Sequence, residues 1–232
     1  MFLNIDYVLF ALPGILLSLW AQARISSAYS AGSRIPAASG RTGALAAAIV
    51  MEAGGVSGVR IEQVTGELSD HYDPRHKVLR LSGGVYAGRS LAAMGVAAHE
   101  AGHAIQDASG YPGLVVRNLV VPLASIGSMF FWLPIMAGLL LEMGGLILVG
   151  IILFSLTVVF QLINLPVEFN ASRRGRELLQ STCLVSADED QVVAKVLNAA
   201  AWTYVAATLT SLLTLLYYLV QFGLLGRRRR GN

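Results

Sequence analysis

Charge is scarce in this sequence. Lys, Arg, Asp and Glu make up 13% of its 232 residues, about half the share in a soluble domain. The scarcity is concentrated: Asn118 to Leu141 holds no charge for 24 residues, Met143 to Pro166 for another 24, and Val196 to Gly226 for 31. Each run exceeds the ~20 apolar residues that carry a helix across the hydrocarbon core. Tyr7 to Ala23 adds a shorter uncharged run of 17. A water-soluble globule is excluded. Cysteine occurs once, at Cys183, which excludes an intrachain disulfide. Basic residues are too few and scattered for a nucleic-acid surface: the formal charge is +3, and four of the arginines are Arg227 to Arg230. A basic cluster after an apolar run anchors it against anionic headgroups, so membrane lipid is the expected partner and nucleic acid is not.

The first apolar run lacks the positive n-region of a signal peptide; MFLNID carries Asp6 instead, so an uncleaved anchor is expected. The composition divides the chain into a transmembrane anchor at 1–24, an extramembrane α+β part at 25–116 and a transmembrane helical hairpin at 117–166. A further helix and connector follow at 167–195, then a C-terminal transmembrane helix at 196–226 and a basic tail at 227–232. The expected fold is a mainly α membrane protein with about four transmembrane helices. A small α+β domain would lie at the membrane surface.

Within 25–116, RTGALAAAIVMEAGG reads as a short helix capped by Thr42 and stopped at Gly54-Gly55. Val59 to Val64 and Lys77 to Leu81 alternate in strand fashion around the turn-forming Asp73-Pro74, which predicts a small antiparallel sheet or hairpin. SLAAMGVAAHEAGHAIQD, Ser90 to Asp107, reads as a helix capped by Ser90 and ended by Gly110-Tyr-Pro112. Pro166 to Gln180 reads as a helix with Pro at its first position. Ser186 with Glu189 three residues on reads as a capping box opening another.

Histidine is the other scarce residue. There are four in the chain, yet two stand four apart in HEAGH, His99 and His103, with Glu100 after the first. Positions i and i+4 share one helix face, so two imidazoles can meet one ion while Glu100 projects beside its open coordination position. This is the HExxH arrangement of two zinc ligands and a general base. Four histidines and eight glutamates would yield on the order of 0.002 such matches by chance. A catalytic zinc takes three protein ligands and a water, so one zinc ion per chain requires a third ligand elsewhere.

No histidine follows at the metzincin distance, since Gln106, Asp107 and Gly110 occupy that stretch. Asp107 is on the same helix and better placed behind a ligand than on the ion. Glu142 lies in the turn between two spans. Two crossings return the chain to the starting face, which brings Glu168 back to the histidines. Glu177 lies about 13 Å further along the helix. Glu168 is therefore the expected third ligand.

HYDPRHKVLRLS, VAAHEAGHAIQD and LPVEFNASRR, in this order between hydrophobic spans, resemble the bacterial YugP-type neutral zinc metallopeptidases. These are similar to the HtpX-like and CAAX-prenyl-protease membrane gluzincins. The HtpX-like pattern E-x-x-A-D reads here Glu168-Phe169-Asn170-Ala171-Ser172, which implies Glu168 as ligand. Ser172 stands where those relatives carry an aspartate that orients a ligand histidine, so Ser172, Asn170 and Asp107 are the candidates for that task.

The expected activity is hydrolysis of peptide bonds in protein or peptide substrates, with Glu100 moving the proton. His71, Tyr72, Arg173 and Arg174 are candidates for contacting the substrate or its oxyanion. The rival reading is an inactive membrane scaffold, a metal-binding protein or a small transporter. A transporter places ionisable groups within its spans, and the two central runs have none. By parity, Arg24, Arg34, Arg117, Arg173, Arg174 and Arg176 lie on the catalytic side, and Arg227 to Arg230 on the other. The positive-inside rule then predicts a cytoplasmic-face site in a bacterial cell membrane.

Overall fold

A computed structural model describes residues 5–67 and 69–224. The basic tail expected at 227–232, with the arginines counted there for orientation, lies outside the described residues. In chain order the elements are α1 (Ile5–Ser33), α2 (Gly43–Ala53), β1 (Arg60–Val64), β2 (His71–Asp73), β3 (Val78–Ser82) and α3 (Gly83–Tyr86). They continue with α4 (Leu91–Ala108), α5 (Pro112–Phe130), α6 (Trp132–Leu140), α7 (Gly144–Ser181) and α8 (Ala187–Gln221). The chain forms two compact units: one from Met1–Trp20, Val116–Leu165 and Tyr204–Asn232, the other from Ala21–Val115 and Pro166–Thr203.

The first unit is built from helix with little charge; Asp6, Arg117 and Glu142 are its charged residues among those described. Among the described residues, four helical stretches are long and apolar enough to cross a membrane: Ile5–Ser33, Pro112–Leu140, Gly144–Ser181 and Ala187–Gln221. Leu119, Leu123, Ile126 and Met129 recur every three or four residues and form an exposed apolar stripe on α5. Such a face suits lipid rather than water. Pro134 lacks the N–H that would reach the Phe130 carbonyl, and α5 gives way to α6 at Phe131. The turn at Glu142, with φ 55°, then leads into α7. Pro166 lies inside α7 rather than at a helix start, because a helix can continue past a proline at the loss of one backbone hydrogen bond. This is a membrane protein, mainly α, with a small α+β part.

The second unit holds the sheet and a core of Leu79, Leu81, Val85, Leu91, Met94, Ala97, Ala98, Ala101, Leu179 and Val193. Alanine and glycine make up much of α4 itself, which lets it pack closely and be buried on nearly all sides. The expected caps are formed: Thr42 Oγ1 accepts from Leu45 N–H, and Ser90 Oγ from Ala93 N–H. Ser186 and Glu189 exchange side-chain and backbone bonds.

The sheet differs from the expected antiparallel pair. Its order is β1-β3-β2, with β1 parallel to β3 (Arg60↔Val78) and the three-residue β2 antiparallel to β3 (His71↔Arg80). Part of the reason is local: Asp70 accepts from the backbone N–H and hydroxyl of Ser82, drawing the segment before β2 onto β3. The Asp-Pro turn does form, with Asp73 Oδ1 accepting from Arg75 and His76 N–H.

Candidate metal centre

Helix α4 and the C-terminal part of α7 cross so closely that side chains are excluded at two points. A Cβ on Gly102 would sit 2.3 Å from the Ala171 carbonyl oxygen, and one on Gly175 2.3 Å from that of Ala98. Numbers rise on one helix as they fall on the other: Ala98 meets Gly175, Gly102 meets Ala171, and Gln106 bonds Val167. The helices are antiparallel, with one paired position every turn.

That register brings His99 and His103, one turn apart on α4, to Glu168 on α7. Glu168 Oε2 lies 3.3 Å from His99 Nε2 and 3.6 Å from His103 Nε2, and the three residues offer one donor atom each, all within 4.8 Å of one another. Their side chains are 13%, 9% and 4% exposed, so water alone does not solvate them. Atoms at about 2.0–2.2 Å from a tetrahedral zinc stand about 3.3–3.6 Å apart, so the two Glu168 to histidine distances and the N,N,O donor set fit that ion. The outer ring nitrogens are also occupied: His99 Nδ1 is 2.9 Å from Ser172 Oγ, and His103 Nδ1 is 3.0 Å from Gln106 Oε1.

Glu100 stands apart from this trio. It is buried, and its Oε2 accepts the backbone N–H of Tyr72 at 3.1 Å. Tyr72 belongs to the edge strand β2 and faces Leu79 in the register with β3. The Tyr72 hydroxyl donates to Asp107 Oδ2 at 2.6 Å, and Lys77 Nζ reaches the same oxygen at 2.5 Å. Burial first, and then the Asp107 carboxylate, push the Tyr72 hydroxyl well above its ordinary pKa, so it stays a donor.

The other expected contacts fall into two groups. Asn170 Oδ1 accepts from Gln106 Nε2 and Arg174 Nε, both at 2.9 Å, while the Arg174 guanidinium lies 5.7 Å from the Tyr111 ring centroid. Asp107 touches Tyr72 and Lys77. His71 and Arg173 bond elsewhere: His71 Nδ1 to the Ser69 carbonyl, Nε2 facing Arg80, and Arg173 to Glu177. Side chains alternate along β2, so His71 and Asp73 share the Arg80 side while Tyr72 points the opposite way. Asp73 is held well below the usual carboxylate range by His76 and Arg80. Gln106 was not expected here. The available sign was its place three residues past His103 on the same helix face.

Helices apolar and long enough to span a membrane, together with a cluster in which His99 and His103 of α4 meet Glu168 of α7, define the class: an integral membrane protein with a candidate metal centre. The chain belongs to the family described as "Putative neutral zinc metallopeptidase", whose model matches residues 7–223. It is 44% identical over 216 residues to the "Putative membrane protease YugP" of Bacillus subtilis (strain 168), covering 93% of this chain and 96% of that relative. No solved structure matches the chain.

Proposed function

We propose that this chain is a membrane-integrated zinc endopeptidase of the gluzincin type. His99, His103 and Glu168 would hold one zinc ion per chain, and Glu100 would act as general base and then acid. The observation that carries this reading is the approach of Glu168 Oε2 to both Nε2 atoms, at 3.3 and 3.6 Å. Held by His99, His103 and Glu168, zinc would supply Lewis-acid chemistry, activating a water and polarising a peptide carbonyl. Glu100 takes the proton of the attacking water and delivers it to the leaving amine. The backbone N–H of Tyr72 holds one of its oxygens, which keeps the carboxylate aimed while it is ionised.

Strand β2 is the sheet edge nearest this chemistry in sequence and in bonding, so an extended substrate is expected to lie along it by adding backbone hydrogen bonds. The protein is assigned to the bacterial cell membrane, with the site on the cytoplasmic face.

The test uses detergent-purified protein, metal analysis and cleavage of an unfolded, quenched-fluorescent protein. Wild type should hold one zinc and cleave. Glu168→Ala should lose the zinc. Stoichiometric zinc in Glu168→Ala would overturn the ligand assignment. No zinc in supplemented wild type would move the reading to a scaffold.

A further inference from the structure

We propose that Gln106 is the positioning residue that prepares His103 for the ion, by dictating which ring nitrogen carries the hydrogen. The inference rests on the ligand role proposed for His103. An amide has two chemically distinct ends. Gln106 Nε2 faces the Val167 carbonyl oxygen at 2.8 Å and Asn170 Oδ1 at 2.9 Å. A carbonyl can only accept, so the NH2 end must point there. The oxygen end therefore faces His103 Nδ1, at 3.0 Å. An amide oxygen also can only accept, so Nδ1 carries the hydrogen.

In the neutral ring this leaves the lone pair on Nε2, the atom 3.6 Å from Glu168 Oε2. His103 is thus set in the ligating tautomer and turned towards the site before an ion arrives. Gln106 is fully buried, so water does not replace either end of its amide. The fixture continues outward. Asn170 Oδ1 also accepts from Arg174 Nε, and Arg174 lies over Tyr111.

His99 is different. Its Nδ1 faces the hydroxyl of Ser172 at 2.9 Å, and a hydroxyl can donate or accept. Ser172 accepts either tautomer of His99, whereas Gln106 allows one of His103. The two histidines of HEAGH are therefore unequal: His103 is preset and His99 adapts.

The experiment compares wild type, Gln106→Leu and Ser172→Ala as full-length protein in detergent. Zinc affinity is read by chelator competition, and the His103 tautomer by nitrogen NMR of isotopically labelled, zinc-free protein. Gln106→Leu should bind zinc about 10- to 100-fold more weakly. Its zinc-free form should lose the Nδ1–H preference, and excess zinc should restore cleavage. Ser172→Ala should weaken binding less than Gln106→Leu does. Unchanged affinity in Gln106→Leu, or Nε2–H at His103 in zinc-free wild type, would overturn the proposal. Should Gln106→Leu fail to fold, the wild-type tautomer decides alone. Absence of zinc from wild type with His103 in the Nδ1–H form would sink the metal reading and leave the tautomer control standing.

Discussion

Two buried carboxylates, Glu100 and Glu168, have different neighbours, and their substitutions should therefore separate. Glu100 meets a backbone N–H of β2, while Glu168 meets two imidazoles. Glu100→Gln keeps the three donor atoms, so zinc content should stay at the wild-type level while turnover falls about 10²–10⁴-fold. Retained cleavage in that variant would falsify the assigned base. Asp73 offers a prediction about pH. Its folded-state pKa is depressed by His76 and Arg80, so it binds a proton less readily than in the unfolded chain. The stability it contributes is present above the unfolded value, about pH 4, and is lost as pH falls below it towards the folded value. Thermal stability should therefore fall on acidification more steeply in wild type than in Asp73→Asn over that window. Parallel curves would remove Asp73 from the account.

At the scale of elements, the crossing of α4 and α7 governs whether His99, His103 and Glu168 meet. Gly102→Ala and Gly175→Ala each place a methyl group against backbone that cannot yield without moving a helix. Each should destabilise the protein by about 1–3 kcal/mol and reduce zinc occupancy. Gly84→Ala, where nothing lies within 4 Å of the added carbon, should do neither. Unfolding curves and metal analysis of the three variants check both statements. The helices and caps were legible because Thr42, Ser90 and Ser186–Glu189 bond within three residues. The meeting of His99, His103 and Glu168 was legible because HEAGH is a local pattern and spans return the chain in pairs. The parallel pairing of β1 with β3 was not, since it joins strands that are not consecutive. Gln106 was not either: its partners Val167 and Asn170 lie 61 and 64 residues away, beyond any periodic signal.

For the whole molecule, the proposed cytoplasmic facing of the site can be tested directly, because the chain carries its own reporter. Cys183 is its single cysteine, is exposed, and belongs to the same compact unit as His99, His103 and Glu168. A membrane-impermeant maleimide should leave Cys183 unlabelled in intact cells and label it once the membrane is opened. Labelling of intact cells would put the unit outside. The apolar stripe of α5 gives a second prediction. Leu123→Arg, in the middle of an exposed apolar face, should cost about 2.5–3.5 kcal/mol of insertion free energy, read in a glycosylation-based insertion assay.

The antiparallel crossing also bears on the timing of synthesis. Glu168 follows His103 by 65 residues, with α5 and α6 and most of the apolar run of α7 between them. A nascent chain that has emerged only to Leu141 already displays both histidines and Glu100, yet lacks the helix that supplies the third donor. During that interval the proposed ligand set of His99, His103 and Glu168 would be incomplete. On that reading, the ligand set would close only after the membrane has received the hairpin. A chain ended at Leu141 should accordingly hold zinc no better than Glu168→Ala does.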